Sequence, residues 1–402
     1  MFLLSGKKSF FKIIILIVLI ALTGIVFYDA NYGSNKIVSF FGEYNKENTT
    51  VDTQHDNDVL TGAIPAGSIM IEEDGKSTFV PYGKGFMHFT RDGVKFYSSL
   101  GSLAWNDVYT IVSPVVVTGG NYSAVVDILG KTARVYNEDG LAYTIQTDES
   151  ICFASLNKNG NAVLILNGKN DYRVQVYNSS GKLKFQRFDE DEGVYPVCAD
   201  ISDDNNVVAV SYTDTSDIDI LSKVLFFYTS KSEGNSADMF AACELEDEIV
   251  VNINYMSGDE YACVSDKAVF AVNSSGETVW RNAVGNEISN FAFSEEGYMA
   301  VGYGKELLGD AVAEKEGTVV LYNFGGKRTG HANLDGNISD IYAGDFYTVV
   351  CVDDIYYGIK ANGNVLWDYV PLQDVNAVIP VDNSGRVLYV ASNHANIKDV
   401  SR

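Results

Sequence analysis

The chain has 402 residues, 46% of them hydrophobic and 12% aromatic, with 36 Gly, 6 Pro and a formal charge of −24. That much apolar material fills one large core or a repeated architecture. The acidic excess excludes a nucleic-acid partner, because a phosphate backbone needs a basic footprint.

At the N-terminus, "KKSFFKIIILIVLIALTGIVFY" sets Lys7, Lys8 and Lys12 at the head of an apolar run ending at Tyr28. Residues 9–28 are long enough to cross a hydrocarbon core of about 30 Å, with Lys12 snorkelling at the near edge. The first acidic residue is Asp29, so the positive-inside bias places residues 1–12 in the cytoplasm and the remainder outside. A cleaved signal needs a small-x-small site after the run. In "VFYDANYG", Tyr28 stands where a small residue should precede Ala30. The expectation is one uncleaved transmembrane helix in the cell membrane, with the rest of the chain extracellular. Residues 29–66, including "NKENTTVDTQHDND", are polar and aperiodic and read as an extracytoplasmic spacer.

From Gly67 onward one phrase recurs. It reads "HFTRDGVKFY" at Gly93, "RVYNEDGLAYT" at Gly140, "QVYNSSGKLKF" at Gly181 and, more loosely, "FFYTSKSEG" at Gly234. It returns as "FAVNSSGETVW" at Gly276, "VLYNFGGKRTG" at Gly325 and "GIKANGNVLW" at Gly363. The spacings are 47, 41, 53, 42, 49 and 38 residues, the period of a β-propeller with four strands per repeat. Tyr, Phe and Val with frequent Gly suit strands. In the phrase itself, Asn hydrogen-bonds the turn backbone and Gly takes the left-handed conformation. Each block then reads as strands a, b, c and d, with the phrase as the c–d hairpin. The fold class expected is all-β, a seven-bladed propeller over 67–402. The strand "SIMIEEDG" finds no place in that scheme and leaves an eighth blade open. "VNAVIPVDNSGRVLYVAS" would supply strands a and b of the last blade and "GFMHFTRDGVKFYSS" its c and d, stitching one blade from both termini.

The repeat resembles the quinoprotein-type propeller blade, in which a turn Gly is followed four residues later by Trp. Gly276–Trp280 and Gly363–Trp367 keep that spacing, with a turn one residue shorter. The whole layout of three lysines, an apolar span, a polar spacer and a divergent propeller resembles a Gram-positive bacterial family of membrane-anchored propellers of unknown function. The first resemblance implies a fold, with packing between blades as the role of the Trp residues. The second implies no activity.

Chemistry is sparse. His55, His88, His331 and His394 lie in no metal-binding spacing, and no GxSxG, P-loop or EF-hand loop occurs. The five Cys form no CxxC pair and sit mostly in apolar runs, as small buried hydrophobes do. "TDTSDIDI" has the carboxylate density of a calcium loop without its central Gly or terminal Glu. No cofactor is expected, and calcium is left open. In a propeller the d–a and b–c loops share one face. That face would collect Asp189, Asp191, Asp214, Asp217, Asp219, Glu306, Asp310 and Glu314, with Glu190, Glu192, Glu244, Glu246, Asp247, Glu248 and Glu316 beside them. A single-sign rim favours a basic protein, a cationic envelope ligand or metal cations. The expected function is therefore a membrane-anchored, non-enzymatic binding scaffold or sensor. The alternative is a quinoprotein-like oxidoreductase or an envelope hydrolase using the channel.

Overall fold

The structure is a computed structural model, and the residues described are 53–55, 67–71, 77–231, 239–307, 309, 311–382 and 384–400. Strands dominate them, with one short 3-10 turn at Thr229–Lys231. Among the described residues no helix is long and apolar enough to cross a membrane. The expected transmembrane segment, residues 9–28, lies outside them.

The strands sort into eight antiparallel four-stranded sheets, so the propeller has eight blades and the expectation of seven is corrected. Blades 1 to 7 cover 78–108, 114–146, 150–189, 194–246, 250–283, 286–333 and 338–370. In each, the four strands a to d are consecutive in the chain. Blade 8 takes strands a to c from Val375–Pro380, Arg386–Ala391 and His394–Asp399, and strand d from Ile69–Met70 near the other terminus. Ile69 pairs with Ala395 and Met70 with His394. One blade is thus stitched from both ends, but with three strands from one and a single strand from the other. Thr53–His55, inside the expected spacer, adds a fifth strand parallel to strand d of blade 7, pairing with Asp368–Val370.

The miscount has a local cause. The hairpin at Gly93 joins strands b and c of blade 1, not c and d. The true c–d turn of that blade runs through Gly101, which carries φ 73°. With it, seven c–d turns serve blades 1 to 7, and blade 8 is left open at that connection.

Alternation closes the ring. In strand b of blade 3, Ala162, Leu164 and Leu166 pack toward blade 2, while Val163 and Ile165 pack toward blade 4. A radial sheet buries both faces, so each blade needs both neighbours. All eight junctions hold an apolar cluster, the one between blades 8 and 1 included.

The recurrent phrase also welds the outer rim. Asn178 Oδ1 accepts from Ser180 N (3.2 Å) and Lys182 N (2.9 Å), and Asn273 does the same with Ser275 N and Glu277 N (both 3.0 Å). The turn glycine then lies against strand d of the preceding blade. A Cβ on Gly276 would sit 2.3 Å from Ala242 O, and one on Gly326 2.3 Å from the Trp280 ring. Trp105 and Trp280 donate across the same junctions, to Glu138 O (3.0 Å) and Phe324 O (2.8 Å). The Trp residues therefore pack between blades, as their position on strand d implies.

Candidate functional site

The alternation of strand direction puts the d–a and b–c loops on one face and the a–b and c–d turns on the other. On the a–b side the two opposite blades 2 and 6 meet: Gly120 N donates to Glu295 Oε1 at 2.7 Å. The loop face is the one that collects acid.

The rim divides into neutralised and free carboxylates. Asp189 is 8% exposed; Arg187 holds it at 2.6 Å and Tyr212 Oη donates to it at 2.8 Å. Burial outweighs those partners and pushes its carboxyl up from the ordinary value. Asp214 accepts from the Ser216 hydroxyl and backbone N–H and pairs with Lys223 at 3.0 Å, which together bring its carboxyl down to about 2. Glu314 pairs with Arg328. The buried Glu248 pairs with Arg281 at 2.7 Å. Asp191, Asp217, Asp219 and Glu306 are exposed and make no ion pair among the described residues, and Glu190, Glu192, Glu244, Glu246 and Asp247 are like them. Asp310 lies outside the described residues. Among those residues no three His, Cys, Asp or Glu side chains are grouped to hold a metal ion.

Three features of this face escaped sequence reasoning. A cleft of about 700 Å³ beside blade 3 is lined by Asp189, Glu190 and Asp191 together with Lys169, Arg173 and Phe188. Arg173 is held there by Asp148 (2.5 Å) and Asp171 (2.6 Å) and lies 5.0 Å over the Phe188 ring. Second, the tips of the two long b–c loops hold apolar side chains in solvent: Ile218 is 98% and Val312 90% exposed. Third, the eight inner strands bordering the axis carry no His, Lys or Arg, and only Asp200, Glu287 and Asp340 as charges. Asp200 is buried and accepts from Tyr255 N at 2.7 Å; burial pushes its carboxyl up to about 6. In blades 3 to 8 the inner strand bulges, at Cys152, Val197, Val251, Met256, Ser289, Ser339 and Asn376. Bulges re-aim side chains and are common beside binding sites. None of these seven is charged. All five cysteines are free thiols, four buried and Cys152 exposed.

Fold and site together define an all-β, eight-bladed propeller with an acidic, apolar-tipped loop face and an inner wall whose strands carry no basic residue. The chain belongs to the family of unknown function DUF5711, whose model matches residues 56–398. No curated protein matches the sequence. Among solved structures it is similar to BamB from Moraxella catarrhalis, at 13% identity over 82% of this chain and 97% of that one, with a TM-score of 0.48. Sqt1 from Chaetomium thermophilum is similar at 10% identity over 84% and 100%, with a TM-score of 0.52. Hsv2 from Kluyveromyces lactis is similar at 10% over 71% and 93%, with a TM-score of 0.46. At such identities the likeness is one of fold.

Proposed function

We propose that the protein is a membrane-tethered binding scaffold, held to the cell membrane through residues 9–28 and offering its loop face to a basic partner segment. The observation that supports this most is the division of charge. The inner strands hold no cation and three carboxylates, one of them buried, whereas the loop face holds unpaired acid around bare Ile218 and Val312. Of the usual acid–base groups the inner strands offer these three carboxylates but no His or Lys beside them. A basic segment with apolar residues would meet both charge and surface on the loop face.

A labelled deca-lysine peptide with interspersed leucines tests the reading. Asp217→Lys with Asp219→Lys should weaken its binding at least tenfold at low salt. Glu138→Lys with Asp139→Lys, on the opposite face, should weaken it less than twofold. Equal losses from the two pairs would reduce the effect to net charge and sink the proposal. Fractionation of cells making the chain with and without residues 9–28 tests the tether, and recovery of both forms in the soluble fraction would refute it.

A further inference from the structure

The loop-face cleft is lined mostly by charged side chains. A second cavity, of about 340 Å³, lies where the ring closes and has a different character. Its wall comes from blade 1 (Phe79), blade 7 (Tyr342) and blade 8 (Asn376, Ala377 and Ile379). Among the described residues no charged side chain lines it, in a chain where 20% of residues are charged. Phe79 is buried in the cluster joining blades 8 and 1, and Ala377 and Ile379 pack against that cluster, so the cavity cuts into the closing seam.

Its polar groups are neutral and mostly unspent. Ser77 Oγ is engaged by His88 Nε2 at 3.0 Å. The Tyr342 hydroxyl and the Asn376 amide have no partner among the described residues, and Asn376 is the bulged residue of its strand. Burial, and then Asp340, push the Tyr342 phenol up to about 12, so near neutral pH it is a donor. An apolar cleft of roughly 300–1,000 Å³ with a few convergent polar groups is the usual form of a small-molecule site.

We propose that this cavity binds a neutral, largely apolar small molecule with a hydroxyl or carbonyl edge, which Tyr342 and Asn376 orient between the first and last blades. With neither a cation nor a carboxylate among the described lining residues, an anion finds no counter-charge there and an ammonium group no compensation. A ligand held by blades 7, 8 and 1 stabilises the closed ring by mass action. The site is independent of the loop-face reading, since it shares no residue with it.

The test uses the purified full chain and three probes of one shape: 2-naphthol, 2-naphthoate and 2-naphthylmethylammonium. Naphthol at ten times its Kd should raise Tm by about 2 °C, saturably. The two charged probes should bind at least tenfold more weakly. Ala377→Leu, which fills the cavity, should abolish the naphthol shift. Tyr342→Phe, which removes one oxygen and leaves the packing intact, should weaken it about three- to tenfold. Should Ala377→Leu fail to fold, Tyr342→Phe and Asn376→Ala decide the matter. The proposal is overturned by no saturable shift up to 2 mM, by unchanged binding in the variants, or by a charged probe binding as tightly as naphthol.

Discussion

The recurrent turn can be tested by separating what its glycine does for its own backbone from what it does for the neighbouring blade. Gly276 and Gly258 both hold left-handed φ, 81° and 66°. A Cβ at Gly258 meets nothing within 4 Å, whereas at Gly276 it would sit 2.3 Å from Ala242 O, a backbone atom of blade 4. Gly258→Ala therefore carries only the left-handed cost of about 1–2 kcal/mol, partly offset by about 0.4–1 kcal/mol from a stiffer unfolded chain. Gly276→Ala adds an enforced separation of two blades, of the order of an overpacked core, about 1–3 kcal/mol. With an unfolding entropy near 2.1 cal/mol/K per residue, a propeller of this size loses about 1.4 °C per kcal/mol. Scanning calorimetry at one scan rate should then show Gly258→Ala lowering Tm by about 1 °C and Gly276→Ala by about 2–5 °C, by the same size argument. Equal shifts would mean that the glycine is needed only for its own turn, and that the outer rim is not welded through these contacts.

Three further outcomes follow from single residues. Asp200 has a folded value near 6 against an ordinary 3.8, so between those values the native state holds the extra proton and stability falls as pH rises. Asp200→Asn keeps an acceptor for Tyr255 N–H and should remove a loss of about 3 kcal/mol between pH 4 and pH 7 in urea unfolding; parallel pH curves for the two proteins would refute this. Ile69→Ala, in the two-residue closing strand, should cost about 2–4 kcal/mol, and an unchanged urea midpoint would mean that this strand does not close the ring. Trp280→Phe should cost about 1–3 kcal/mol because Phe324 O loses its donor. Trp367→Phe should cost less, since the buried Trp367 Nε1 has no acceptor, and the reverse order would contradict the account of the rim.

The propeller was legible because its repeated hairpin needs particular residues. Only Gly bears φ near 80° without strain, and only a short polar side chain such as Asn caps the turn backbone. The blade number was not legible, for the same reason. The c–d turn of blade 1, "SSLGS", has the same five residues as the others but sets Ser98 where they have Asn, so its Gly101–Trp105 spacing does not stand out, while the b–c turn at Gly93 imitates the phrase. "HANIKD" is too polar to read as a strand, yet it pairs along blade 8 from His394 to Asp399. The shared face of the acid followed from topology. Its partial neutralisation did not, because Arg173 reaches Asp148 from 25 residues away, across two loops that adjoin only in the folded blade. The lack of basic residues along the inner wall is written in the sequence, but it becomes informative only once the a strands can be told from the rest.

The place where the chain is cut shapes the energetics of the ring. Among the described residues the cluster between blades 8 and 1 contains six buried residues and six partly buried ones, against eight to twelve buried residues at each other junction. That shortfall follows from a d strand of two residues, one of which, Met70, stays exposed. Apolar area is what holds neighbouring blades together, and at this junction more of the described apolar side chains stay partly in water, in a ring in which no blade is stable alone. The uncharged cavity opens at this same junction. A ligand of given affinity adds the same free energy wherever it binds the native state, but only here would that energy act directly on the step that separates a closed ring from an open one.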